Sequence, residues 1–158
     1  MSKAVVVDTN LLLLILVGST NPEYIKKHRR LYPVYNARHF DLILGLLVRA
    51  PKVICTAHIL TEASNLARQI PDPMRSEIMA TFKRFIDLAE ERQVKGAQAT
   101  EQPSFLRLGL TDAAILSLDP IDIQVLTVDH DLHLAAIEKG SMSRTSRRTC
   151  MNDDPIDR

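Results

Sequence analysis

Four acidic side chains interrupt apolar runs in a way that invites chemistry: Asp8 in VVVDTNLLL, Glu62 in ILTEASNLA, Asp112 in LGLTDAAIL and Asp129 in VLTVDHDLHLAA. An aspartate after a strand or in a first helical turn is usually a cap, accepting from free N–H groups and complementing the helix dipole. Each of the four has that reading when taken alone. As a set they have another, because carboxylates gathered away from water repel one another and lose hydration, and so coexist only with a proton or a cation. Oxygen donors without paired cysteines or a histidine cluster match a hard divalent ion, Mg2+ or Mn2+ in one or two copies, better than zinc. Asp131 stands between two roles, a further ligand if the chain stays extended or the cap of a helix beginning near Leu132. Asn65 lies one turn from Glu62 on the same helix. His58 and His130 read first as packing or surface residues and second as outer groups of the site.

The elements that must position these acids follow from the apolar pattern. Ala4–Val7 is apolar on both pleat faces, as a central parallel strand covered on each side would be. Asp8, Thr9 and Asn10 form its exit into a helix over Leu11–Val17 that Gly18 to Pro22 breaks. The pattern then predicts a short helix over Glu23–Leu31, a helix over Asn36–Val48 and a strand at Val53–Cys55. Next come a helix capped by Thr61 and ended by Pro71 and Pro73, a long helix over Met74–Glu91 and a small strand over Val94–Ala99. A helix beginning around Asp112 runs to the break at Asp119 and Pro120, and Ile123–Val128 is a strong parallel-strand signal. A last helix over Leu132–Lys139 stops at Gly140. Strands alternating with helices predict an α/β sandwich with a parallel sheet. Open sheets of this kind gather their sites at the carboxyl ends of strands, so Asp8 and Asp129 can meet despite their distance in sequence.

The bulk properties set limits. A chain of 158 residues is most simply one domain, and 46% hydrophobic with 25% charged residues is an ordinary globular composition. The domain reads as residues 1–140, and residues 141–158 as a polar, flexible C-terminal tail with room for one edge strand. With a formal charge of +1, nucleic-acid binding has to come from local patches and not from the global field. Cys55 and Cys150 are too few for a disulfide scaffold, which favours a reducing, cytoplasmic setting. Leu11–Val17 is far short of the roughly 20 residues that span a bilayer, and Asp8 and Asn10 break what a signal peptide would keep apolar. No membrane association is expected.

The four quoted motifs, in their order, resemble those of the PIN-domain family of metal-dependent nucleases, over nearly all of residues 4–139. The resemblance implies a three-layer α/β/α sandwich with a central, mainly parallel five-stranded sheet, and an endoribonuclease that hydrolyses RNA with Mg2+ or Mn2+. It matches the family's acids to Asp8, Glu62, Asp112 and Asp129 as catalytic and metal-binding residues, with Asp131 as an additional acid. Thr9 and Asn10 take the usual hydroxyl and amide positions, and Thr127 the small hydroxyl position before the last acid. Many small members are toxins of toxin–antitoxin pairs, so an antitoxin protein is an implied partner. Residues 19–50 are longer and more basic than the minimal pattern, and the segment after Gly140 is more polar.

The densest basic run, Lys26, Lys27, Arg29 and Arg30, would hold RNA phosphates without reading sequence, with Lys26, Arg29 and Arg30 on one helical face. Arg144, Arg147 and Arg148 offer a second patch. Aromatic residues make up only 4% of the chain, which argues against a base-stacking platform. Apolar helices around Phe40–Leu47 and Ile78–Leu88 are candidates for a homodimer face or for core. A phosphatase with an aspartate nucleophile would want a second aspartate where Asn10 stands, and a phosphoacceptor module would want a lysine after the late strand, where Val128, Asp129 and His130 offer none. A structure-specific DNA nuclease and a non-catalytic metal- or RNA-binding module are the remaining alternatives.

Overall fold

The computed structural model describes residues 2–145. Five strands, β1 (Ala4–Val7), β2 (Val53–Cys55), β3 (Glu90–Glu91), β4 (Ile123–Thr127) and β5 (Met142–Thr145), form one sheet in the order β3-β2-β1-β4-β5. Every pairing is parallel, with Val5 opposite Val53 on one side and opposite Gln124 on the other. Helices α1 (Thr9–Thr20) and α2 (Ala37–Leu47) link β1 to β2, and α3 (Ala57–Ala67) and α4 (Met74–Leu88) link β2 to β3. Three short helices, α5 (Gly96–Thr100), α6 (Phe105–Leu108) and α7 (Leu110–Leu116), precede β4, and α8 (His130–Glu138) joins β4 to β5.

Parallel crossovers are right-handed, and the chain steps one way from β1 to β3 and the other way from β4 to β5. The first four helices therefore cover one face and the last four the other, giving a three-layer sandwich. Within the layers α1 packs on α2, α3 and α4 and α7 on α5, α6 and α8, while α3 and α7 also touch across them. The direction of winding reverses between β1 and β4, which opens a crevice at their carboxyl ends.

The first helix explains how so short a chain builds its core. TNLLLLILVGST is apolar all round, and a helix of that kind has to be buried on every side. Leu11, Leu12, Leu13, Leu14 and Leu16 are all at most 1% exposed, and each contributes about 2 kcal/mol by leaving water. Gly18 belongs to this helix and does not break it. A Cβ there would stand 2.3 Å from Cδ2 of Phe40, so the glycine is what lets α2 lie against α1.

Several other expectations are corrected. Residues 23–31 do not form an α-helix: a 3-10 turn covers Pro22–Lys26 and turns follow. Buried His28 draws this segment inward, its Nε2 lying 3.0 Å from the carbonyl oxygen of Leu66 while its Nδ1 accepts the Arg30 N–H at 3.3 Å. The cap of α3 is Thr56, whose Oγ1 accepts from Ile59 N–H at 3.3 Å, and Thr61 lies exposed inside the helix. Helix α4 ends at Leu88, so that Glu90–Glu91 can pair with Ile54 and Cys55. The segment read as a strand over Val94–Ala99 contains α5, which buries Ala99 against Ala113 and Ala114. Helix α8 starts at His130, because Asp129 caps it. The fifth strand is the edge strand for which the polar C-terminal segment had room, with Met142 opposite Gln124. Arg147, Arg148 and the rest of that segment lie outside the described residues. Of the two apolar faces weighed for a homodimer, Phe40, Ile43, Leu47, Ile78 and Phe82 are core, whereas Ile86 and Leu88 face solvent. Among the described residues no helix is long and apolar enough to cross a membrane.

Candidate functional site

Asp8 leaves the carboxyl end of β1 and caps α1. It is 5% exposed, yet its carboxylate is fully engaged. Oδ1 accepts the Leu11 N–H at 2.9 Å, and Oδ2 accepts the Val128 N–H at 3.2 Å together with a very short bond from the Thr127 hydroxyl. Burial pushes its pKa up, and the hydrogen bonds from Thr127, Leu11 and Val128 pull it back. Thr127 also accepts the Asp129 N–H at 2.9 Å. One buried hydroxyl thus joins the first acid to the backbone of the last, across the crevice between β1 and β4.

Asp129 caps α8, its Oδ1 accepting the N–H groups of Asp131 at 2.8 Å and Leu132 at 3.1 Å. Its side chain is exposed, as is that of Glu62 in the middle of α3. Asp112 sits in the first turn of α7, half-buried, behind Gly109. That glycine has φ +87°, a left-handed conformation that a side chain resists, and it turns the chain from α6 into α7. Helix α7 packs on both α3 and α8, which carry Glu62 and Asp129.

The electrostatics follow from this arrangement. The Asp112 carboxyl is pushed up to about 7, first by burial and then by the negative charges of Asp129, Asp8 and Glu62. Asp112 therefore feels the charge of all three other acids named from the sequence, and Asp8 feels that of Asp129. Asp131 stands apart: it is exposed, and its Oδ1 lies 3.4 Å from Arg107 of α6.

The donor set is oxygen-only and anionic, and it holds a carboxyl whose ionisation is held back by its neighbours, which in type and charge fits a hard divalent cation. As the side chains stand, no group of three or more His, Cys, Asp or Glu residues among the described residues is arranged to hold a metal ion. The acids share a field without forming a closed coordination shell, and both Asp8 oxygens are already used within the protein.

The supporting residues separate. Thr9 is buried at the start of α1, and Asn10 accepts from Nε of Arg30 at 3.4 Å through its Oδ1. Asn65 lines a different groove, of about 480 Å³ between α3 and α4, with Thr61, Ser64 and Phe82. Within the basic run Arg30 alone reaches a residue of the acidic end. Arg29 donates to Gln69 at 3.1 Å, Lys26 pairs with Glu23 at 3.3 Å and Lys27 lies 5.9 Å from the centre of the Tyr24 ring. The expected helical face of Lys26, Arg29 and Arg30 is not formed.

Sequence reasoning missed Arg107, an isolated cation whose only signal was its place five residues before Asp112. His130 is exposed, and His58 is half-buried with Nδ1 unpartnered among the described residues. Cys55 is buried, and burial together with Glu91 pushes its thiol up to about 11, which removes it as a nucleophile. Set beside known families and curated proteins, the chain matches no family model and no curated sequence. What stands is the fold, a parallel α/β/α sandwich of the general type that hosts nuclease chemistry.

Proposed function

We propose that the protein is a divalent-cation-dependent endoribonuclease of PIN-like type, with Asp8, Glu62, Asp112 and Asp129 as its acidic centre and Mg2+ or Mn2+ as its cofactor. The observation that supports the reading is the field at Asp112, to which Asp129, Asp8 and Glu62 from three other segments all contribute. A phosphodiester is anionic, so this centre repels its substrate until a cation is present. The ion, when bound, neutralises charge on the scissile phosphate and acidifies an attacking water.

The residues divide the work. Glu62 and Asp129 offer exposed oxygens to the ion. Asp8, fixed by Thr127 and Val128, holds negative charge in one place and ties β1 to β4. Asp112 releases its proton as positive charge arrives. Arg30 and Arg107 each make one contact at the rim, with Asn10 and with Asp131, and a guanidinium fork has further donors for phosphates entering and leaving. If the protein is the toxin of a toxin–antitoxin pair, the antitoxin has to mask this end of the sheet.

Cleavage of a mixed single-stranded RNA pool in Mn2+ or Mg2+ tests the reading. The wild type should cut, EDTA should stop it, and Glu62→Gln should slow it by on the order of 100-fold or more. A wild type inert toward RNA in both metals, or a Glu62→Gln protein that cuts at the wild-type rate, overturns the proposal. Preference for flap DNA over RNA would reassign the substrate while keeping the acidic centre.

A further inference from the structure

We propose that a basic pocket on the α2 side of β4 and β5, away from the acids, is a phosphate-binding site that holds the single-stranded RNA on which the acidic centre acts. Lys3, Arg49 and Arg144 line this pocket of about 390 Å³, with Val5, Gln124 and Met142 as its floor, and no lining residue is acidic. The sheet register makes this one surface. Val5 stands opposite Gln124, Gln124 opposite Met142, and Leu126 opposite Arg144. Ser143, between Met142 and Arg144, turns the other way to meet His133 of α8 at 2.7 Å. Met142 and Arg144 therefore face the α2 layer, where Leu46 at the end of α2 and Arg49 in the turn after it form a wall. Met142 is 50% exposed, so this face of the edge strand is open to a ligand.

Several cations elsewhere also lack a carboxylate, Arg29 donating to Gln69 and Arg30 to Asn10, but here three cations line one concavity. Lys26, Lys52, Arg75, Lys83, Arg92 and Arg107 each lie against a carboxylate. Among the described residues neither Arg49 nor Arg144 does, and Lys3 donates only to the main-chain oxygen of Pro120, at 3.4 Å. Three cations thus share one concavity without an anion, a field that attracts phosphate. The volume lies within the range of small-ligand sites. Apolar Val5 and Met142 suit the face of a nucleobase, and the Gln124 amide suits its edge.

The pocket answers a problem that the acidic centre creates, and to that extent it rests on the nuclease reading. Four carboxylates give a polyanion no affinity before the cation arrives, and a net charge of +1 gives little help. Binding has to come from a local patch. The pocket lies toward the amino ends of β1, β4 and β5, and Lys3 is five residues along the chain from Asp8, about 17 Å at the rise of a strand, so a strand of several nucleotides has to pass around the sheet to reach both.

The test is fluorescence anisotropy of a labelled ten-nucleotide single-stranded RNA in EDTA, over a range of salt, so that cleavage plays no part. Arg49→Glu combined with Arg144→Glu should raise Kd at least tenfold and lower the salt slope by about 1.4, two phosphate contacts' worth. The milder Arg49→Gln with Arg144→Gln should raise Kd several-fold with an unchanged melting temperature, which guards against misfolding. Arg84→Glu, a charge reversal on α4, should leave Kd within about twofold. Unchanged Kd and slope in the pocket variants, or an equal loss in Arg84→Glu, overturns the inference. A protein that cuts RNA but binds it equally well without these arginines loses this proposal alone. One that binds RNA through them but never cuts it loses the nuclease reading and keeps the binding site.

Discussion

Asp8 and Glu62 are both acids of the proposed centre, and the protein treats them in opposite ways. Asp8 is buried, caps a helix, and has each oxygen committed to a donor. Glu62 is exposed in mid-helix and makes no hydrogen bond or ion pair among the described residues. The contrast teaches that the familiar structural role of a strand-end aspartate and a functional one need not exclude each other. Asp8 and Asp129 are helix caps, and they also load Asp112 with negative charge. Stability should therefore follow the buried bonds, and activity the exposed oxygens.

Four substitutions can break or sharpen this division. The largest effect belongs to Asp129→Asn, because asparagine caps a helix nearly as well as aspartate. RNA cleavage should fall by on the order of 100-fold or more while the melting temperature moves by less than about 2 °C, read by a cleavage time course and a thermal melt. A protein that loses its fold in place of its activity would blur the contrast. Thr127→Val comes next. It removes the donor to Asp8 Oδ2 and the acceptor for Asp129 N–H, at a cost of about 1–3 kcal/mol measured by urea denaturation.

The third is Asp112→Asn, and its effect depends on pH. The folded carboxyl sits near 7, above its ordinary 3.8, so the protonated form favours folding. That contribution is complete below about pH 4 and is lost as pH rises through 7. Without metal, Asp112→Asn should match the wild type at pH 4 and melt about 3 °C higher at pH 8. Equal melting temperatures at both pH values would remove Asp112 from the shared field. The smallest effect is expected from Asp131→Asn. Its partner Arg107 is 54% exposed and Asp131 itself 59%, and pairs of that kind contribute at most about 1 kcal/mol. Its melting temperature should stay within about 2 °C, and cleavage within a few-fold.

The legible parts of the fold are those written in local pattern. The apolar runs at Ala4–Val7 and Ile123–Thr127 announce central strands, and the apolar turns of Ala37–Leu47 announce a helix. The acids were visible because each ends an apolar run. What was hidden depends on partners distant in sequence. His28 looks like one more member of a basic run until Leu66 gives it a carbonyl, and that bond is what keeps the run from being helical. Helix α5 is five residues of GAQAT and the strand β3 is two glutamates, too little of either for periodicity to register. Arg107 acquires its place only when α6 and α8 meet. Thr127 was recognisable as a small hydroxyl before the last acid, but its two simultaneous bonds require the β1–β4 pairing.

The central claim is that four carboxylates form one anionic site that takes a divalent cation. Carbon-detected NMR titration of the Asp112 carboxyl addresses it directly, in the wild type, in Glu62→Gln, and in the wild type with Mg2+. The account predicts a midpoint near 7 without metal, a lower midpoint in Glu62→Gln, and a fall into the ordinary carboxylate range or below when Mg2+ is added. A midpoint in that ordinary range from the outset, unmoved by either change, would contradict it.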